Sequence, residues 1–359
     1  MTQSLSNKRA LLAQLLQQKK EVYSYPLSYG QQALWFIYQS VPNSPAYNMA
    51  LPLKLQGNVN STYLQQALQS LVNRHPTLRT TIEFVDGEPM QTVQPTGTYH
   101  WDEHQGEAWS PAQFETALQK AYEQPFDLTR GPVLQVNLFH TAPESHVLLL
   151  TMHHIFGDSS SIAILGNDLL TLYEGEQNQQ KVALPPIPAS YADFVRVEAT
   201  TLDNSEGEKL AHYWQQQLEG EVPILNLPTD YPRPAEQSHN GASVPFSLSP
   251  QLSQQLKDKA QQERTTIFNM LLTAFQILLH RYTGQSEIWL GTPTSTSRHQ
   301  PKFASLIGYL VNPVVVRATI DSATLSFREL LSQTKQTVIE AIEHSAYPFP
   351  LLVRAIQPQ

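Results

Sequence analysis

The chain has 359 residues, 41% of them apolar and 15% charged, with a formal net charge of -8 and no cysteine. That is enough apolar material for two lobes of ordinary size, and the acidic balance argues against the clustered Lys/Arg surface of a nucleic-acid binder. Disulfides, thiolate metal sites and a cysteine nucleophile are excluded, no apolar run reaches the roughly 18 residues of a membrane span, and a cytosolic enzyme fits best.

Leu11, Leu12, Leu15 and Leu16 line one face of a first predicted helix, whose basic flanks do not precede a signal-peptide core. A second helix runs from Ser28 through Leu34 and Trp35. A third carries Leu64, Ala67, Leu68 and Leu71 behind an Asn60 or Ser61 cap. TTIEFVDGEPMQTV predicts a hairpin turning at Asp86-Gly87. Then come a helix over 111–122, the strands VLQVNLF and HVLLLTMHHI, and a helix with Ile162, Leu165, Leu169 and Leu172 at helical spacing. The polar, proline-bearing EGEQNQQKVALPPIPAS is the expected crossing between lobes, dividing the chain into 1–175 and 176–359. The second half repeats the grammar, with helices near 207–218, 250–262, 265–282 and 326–343 and strands near 243–248, 286–291 and 313–319. Strands mixed with helices in each half predict two similar α/β sandwiches, and no Gly-rich phosphate loop is present.

The stretch TMHHIFGDSSS, from Thr151 to Ser161, raises the chemical question. On an extended strand His153 shares a face with Val147, Leu149 and Thr151, and His154 with Leu148, Leu150 and Met152. Two imidazoles on opposite faces do not converge on one ion, which speaks against a metal site. Two readings remain from the residues alone. Both histidines are satisfied core groups, or His154 sits at a strand-to-helix turn where Gly157 breaks the strand. In the second case the DSSS that follows supplies helix N-cap chemistry, near N–H groups able to steady negative charge.

MHHIFGDSSS resembles the HHxxxDG core of condensation domains of nonribosomal peptide synthetases, a motif shared with the wider chloramphenicol-acetyltransferase-like superfamily. LSYGQQALWF (27–36) looks like that family's first motif and RHPTLRT (74–80) its second. SYADF (190–194) looks like the fourth, IGYLVNPVVVR (307–317) the fifth and HSAYPFPLL (344–352) the sixth. The resemblance implies two chloramphenicol-acetyltransferase-like α/β lobes in a V-shaped arrangement. It implies an acyltransferase that forms an amide between an upstream carrier-bound acyl, peptidyl or polyketide thioester and the amine of a downstream carrier-bound aminoacyl thioester. No intrinsic cofactor or metal is implied. Both substrates ride on phosphopantetheine arms of carrier proteins and enter a tunnel between the lobes. The partners implied are those upstream and downstream carriers and the adjacent synthetase domains, with neither nucleic acid nor membrane.

The resemblance makes His154 the catalytic histidine and His153 a structural neighbour. Asp158 becomes a motif-holding carboxylate paired with an arginine of the other lobe, for which Arg298 is the candidate. Gly157, Ser159 and Ser161 support the motif, and Ser28, Asn312 and Arg79 are candidates to line the tunnel or back the site. GYLVNP and RHPTLRTT look more like domains that follow a polyketide module or take an acyl starter. There are two departures. Ser159 stands where the motif has glycine, a residue that serves close approach or positive φ. The chain stops at Gln359, before the family's seventh motif, so an incomplete C-terminal lobe is expected. Those departures keep open an inactive carrier-binding scaffold of the same fold, beside a free-standing acyltransferase using acyl-CoA.

Overall fold

The computed structural model describes residues 22–235, 241–321 and 325–356, so the helix expected around Leu11–Leu16 lies outside the described residues. The backbone packs into two compact units. One comprises Met1–Glu198 and Ser297–Leu310, the other Ala199–Thr296 and Val311–Gln359. Both mix helices with antiparallel strands, giving the α/β class that the element pattern predicts.

In the first unit, β1 (Tyr23–Pro26), β4 (Glu88–Val93) and β3 (Thr80–Val85) form a sheet in the order β1-β4-β3. Its hairpin turns at Asp86 (φ 52°) and Gly87 (φ 85°), the left-handed pair that an Asp-Gly turn supplies. A second sheet has the order β2-β7-β6-β5, from β2 (Asn48–Gln56), β5 (His100–Gln105), β6 (Leu134–Ala142) and β7 (Ser145–His153). Strand β7 is antiparallel to both neighbours, and β5 runs parallel to β6. Pro52 sits on β2, at the sheet edge, where a missing N–H breaks no ladder between interior strands.

Among the described residues, this unit holds the helices α1 (Tyr29–Ser40), α2 (Ser61–Arg74), α3 (Pro111–Tyr122) and α4 (Ser159–Gln177) and, up to Glu198, α5 (Tyr191–Leu202). Leu64, Leu68 and Leu71 of α2 and Leu165 and Leu169 of α4 share one buried cluster with Leu148, Leu150 and Met152 of β7. Leu149, on the opposite face of that strand, packs with Phe139 and with Phe114 and Ala121 of α3. Strand β7 is therefore apolar on both faces, which explains its unbroken run of leucines and fixes its register.

The second unit holds α6 (Ser205–Gln217), α7 (Pro250–Gln262), α8 (Ile267–Thr283), the antiparallel pair β8 (Glu287–Thr294) and β9 (Asn312–Thr319), α9 (Phe327–Glu343) and α10 (Phe349–Ile356). Trp214 of α6 is buried with Val314 of β9, Ala341 of α9 and Leu352 of α10, and its indole N–H donates to the His344 carbonyl (3.0 Å). The strand expected near 243–248 is absent: this segment is irregular, and Val244 and Phe246 are 87% and 85% exposed. An alternating sequence forms a strand only beside a strand edge, and among the described residues none pairs with it.

The units also divide elsewhere than between 175 and 176. Residues 176–198 stay with the first unit, because Tyr191 and Phe194 bury themselves against Phe303, Leu306 and Leu310. The proline-bearing stretch is tied down as well. Arg74 donates from Nε to Asp168 (2.9 Å) and from Nη2 to the Pro185 carbonyl (2.5 Å). The same apolar cluster brings 297–310 into the first unit, so Arg298 belongs to the unit that carries the histidine pair.

Candidate functional site

Strand β7 ends at His153, and His154–Phe156 form a single 3-10 turn before α4. That turn separates the two imidazoles. His153 is 4% exposed, between the rings of Tyr38 and Tyr47, and its Nδ1 accepts the Ile155 N–H (3.2 Å). Burial, helped by the neighbouring His154, lowers its pKa from 6.5 to about 4, so it is neutral at pH 7. An imidazole that binds its proton less readily folded than unfolded destabilises the fold as pH falls from 6.5 towards 4. The size is roughly 3 kcal/mol for a shift of that order. In His153→Gln, the loss of unfolding free energy between pH 7 and pH 4 is expected to shrink by about that amount, read from urea midpoints. A variant with the same pH profile as wild type would contradict the assignment.

His154 is only partly buried, and its Nδ1 lies 2.6 Å from the Gly157 carbonyl oxygen. A carbonyl can only accept, so Nδ1 carries a proton, and in the neutral ring the lone pair is on Nε2. The ring of Tyr309 meets the imidazole edge to face, with centroids 5.2 Å apart and planes at 75°. Gly157 is extended (φ -170°), and a Cβ there would stand 2.9 Å from the Met152 methyl and 3.2 Å from Ser161 Cβ, so the end of the Met152 side chain would have to shift.

Asp158 is fully buried and caps α4. Its Oδ1 accepts from Ser161 N (2.9 Å) and from Arg298 Nη2 (2.6 Å), and its Oδ2 accepts from Arg298 Nε (3.2 Å) and Leu310 N (3.2 Å). Arg298 also donates from Nη1 to the Leu306 carbonyl (2.7 Å) and from Nη2 to Ser161 Oγ (2.9 Å). This is a two-pronged ion pair whose remaining valences are filled, the condition under which buried charges are tolerated. The serine hydroxyl of Ser161 further accepts Gly308 N (3.1 Å). Ser159 is exposed at the first position of α4, and it is not among the positive-φ residues of the described chain. The backbone there does not take the left-handed conformation that favours glycine.

A second set of contacts, within motifs the sequence picks out, surrounds this core. Ser28 is buried as the N-cap of α1, in a capping box with Gln31. Gln31 is fully buried and donates from Nε2 to the Ile155 carbonyl and to Gln91 Oε1 (both 2.9 Å), tying α1 to the histidine turn. The Tyr191 hydroxyl donates to the Tyr309 carbonyl (2.7 Å), so Ser28 Oγ, 3.0 Å away, donates to Tyr191. Burial pushes that phenol well above its ordinary pKa, so it stays a donor. Gly308 is required because a Cβ would run into the Tyr191 ring. No role for Gln31, Tyr191, Gly308 or Tyr309 is visible in the sequence. Their one signal is position within LSYGQQALWF, SYADF and IGYLVNP.

Arg79 and Asn312, the other expected site residues, make hydrogen bonds within their own units. Arg79 donates from Nη1 to the Gln94 carbonyl, closing the end of the β3–β4 sheet. Asn312 begins β9 in the second unit, donates from Nδ2 to the carbonyls of Ser345 (2.9 Å) and Tyr347 (2.7 Å), and accepts Phe349 N (2.8 Å).

A condensation-domain family model matches residues 22–359. Tyrocidine synthase 3 of Brevibacillus parabrevis is 35% identical over 333 residues, which cover 93% of this chain and 5% of that protein. Phosphinothricin tripeptide synthetase PhsC of Streptomyces viridochromogenes is 36% identical over 332 residues, covering 91% and 30%. The chain thus spans less than a third of the length of these curated relatives. Among solved structures, a holo four-domain nonribosomal peptide synthetase superposes with a TM-score of 0.82 at 22% identity, covering 94% of this chain and 25% of that one. The starter condensation domain of rhizomide synthetase, in complex with C8-CoA and Leu-SNAC, gives 0.79 at 20% identity, covering 94% and 75%. At such identities the structures speak to fold, and the family match over residues 22–359 speaks to kinship. With its HHxxxD turn intact from His153 to Asp158, the chain belongs to the condensation-domain family.

Proposed function

We propose that this domain is an acyltransferase that joins a carrier-bound acyl thioester to the amine of a carrier-bound aminoacyl thioester, with His154 as the group that handles the proton. The observation that carries the reading is the His154 Nδ1 contact to the Gly157 carbonyl at 2.6 Å, on a partly buried ring. It selects the tautomer whose Nε2 can accept a proton. The amine nitrogen attacks the thioester carbon and forms the C–N bond, and the nitrogen's proton passes to Nε2. Collapse of the tetrahedral intermediate breaks the C–S bond, and the departing sulfur takes the proton back. The products are an amide and a free pantetheine thiol, with the imidazole regenerated. No enzyme nucleophile is required, in keeping with a chain that has no cysteine. Holding both reactants as thioesters on carriers supplies the proximity term.

Upstream and downstream carrier proteins, bearing phosphopantetheine arms, are the partners under this reading, with adjacent synthetase domains beside them. The test is a mass assay with an acyl-loaded carrier, an aminoacyl-loaded carrier and, separately, acyl-CoA with a free amine. The expected result is an acyl-aminoacyl species on the downstream carrier. Carrier binding without a new covalent species would favour a scaffold of the same fold. Product from acyl-CoA with no use of carriers would favour a free-standing acyltransferase.

A further inference from the structure

We propose that Tyr309 is a positioning residue for His154: its ring wedges the imidazole so that Nε2 keeps one direction. This rests on His154 being the proton-handling group. The hydrogen bond from Nδ1 to Gly157 O fixes one edge of the ring but leaves it free to rock about that contact. The edge-to-face contact with Tyr309, at 5.2 Å and 75°, supplies the second restraint.

A wedge is useful only if it cannot retreat, and Tyr309 is held from every side that the contacts describe. A Cβ on Gly30, in the first turn of α1, would stand 2.5 Å from Tyr309 Cε1 and 2.9 Å from Cδ1, so the phenol ring lies directly against that backbone. Three consecutive residues of its own segment are pinned. Gly308 N donates to Ser161 Oγ (3.1 Å), the Tyr309 carbonyl accepts the Tyr191 hydroxyl (2.7 Å), and Leu310 N donates to Asp158 Oδ2 (3.2 Å). The Asp158–Arg298 core thus does two things. It caps α4 behind the histidine turn, and it carries Tyr309 to the imidazole. Rigid support of this kind keeps a reacting group within the small angular range that proton transfer needs.

The test uses the full chain with no substrate first. Long-range proton–nitrogen spectra of the histidine rings should show His154 as a single Nδ1–H tautomer in wild type. Tyr309→Phe, which keeps the ring, should preserve that signature. Tyr309→Ala, which frees the ring to rock about the Gly157 contact, should keep the tautomer and broaden the ring signals. In the carrier assay Tyr309→Ala should lose about tenfold in kcat with KM little changed, and Tyr309→Phe should stay within about twofold. Gly30→Ala, which touches Tyr309 and not the imidazole, should move both readouts in the same direction as Tyr309→Ala. Should Tyr309→Ala fail to fold, Tyr309→Leu takes its place, with the same expected direction. The proposal is overturned if the His154 spectrum of the Ala or Leu variant matches wild type, or if Tyr309→Phe loses as much as Tyr309→Ala. If instead His154→Ala forms product normally, it is the assignment of His154 that fails, and the ring spectra still decide whether Tyr309 orients it.

Discussion

Asp158→Asn is expected to lower the unfolding free energy of the first unit by roughly 3–5 kcal/mol, the cost of breaking one side of a buried ion pair. The amide still accepts the Ser161 N–H, so the helix cap, worth about 1 kcal/mol, largely survives. What cannot survive is the compensation of Arg298, whose side chain is 8% exposed against a carboxylate that is fully buried. The guanidinium would be left charged, out of water, and facing an amide. A double variant, Asp158→Asn with Arg298→Met, should recover part of the loss, since it leaves no buried charge unpaired, although the Leu306 carbonyl and Ser161 hydroxyl lose a donor. Urea unfolding of the three proteins at one pH checks this, provided the two units are fitted as separate transitions. If Asp158→Asn unfolds at the wild-type midpoint yet no longer makes product, the carboxylate acts on the chemistry directly and is not a brace.

Which parts of this protein can be read from its sequence follows from where the information lies. Helix α3 is legible end to end, because Ser110 and Gln113 form a capping box with Pro111 in the first turn, all local features. The Asp86-Gly87 hairpin is legible for the same reason. The position of α8 is legible, but its inward face is not: Asn269, Thr273 and Gln276 are buried, while Phe268, Leu271, Phe275 and Leu278 are 46–48% exposed. A helical period locates an apolar stripe without saying what covers it. The segment 243–248 shows the converse, a strand pattern with no partner among the described residues. Strand β2 escapes the pattern reading because Pro52 and Lys54 interrupt a strand that its edge position tolerates.

At the site, the turn from His153 to Ser161 is legible because its residues are adjacent, and the resemblance adds Arg298. The return of 297–310 to the first unit is a tertiary fact, set by Phe303 and Leu306 packing on Tyr191 and Phe194, and no local period announces it. The same holds for Tyr309. Only the fold brings residue 309 to residue 154, so its ring reads in the sequence as one more aromatic in a β-rich motif.

In the proposed reaction Nε2 of His154 takes up the proton as the amide forms, and His154→Ala removes it at little cost in packing because the ring is only partly buried. General-base catalysis of this kind contributes on the order of 10²–10⁴ in rate. The most direct measurement is single-turnover amide formation between an acyl-loaded and an aminoacyl-loaded carrier, followed by mass for wild type and His154→Ala at equal concentration. Urea midpoints establish that both proteins are folded. The expected result is a folded variant whose rate falls by at least about a hundredfold. A folded His154→Ala that makes product at the wild-type rate would contradict it.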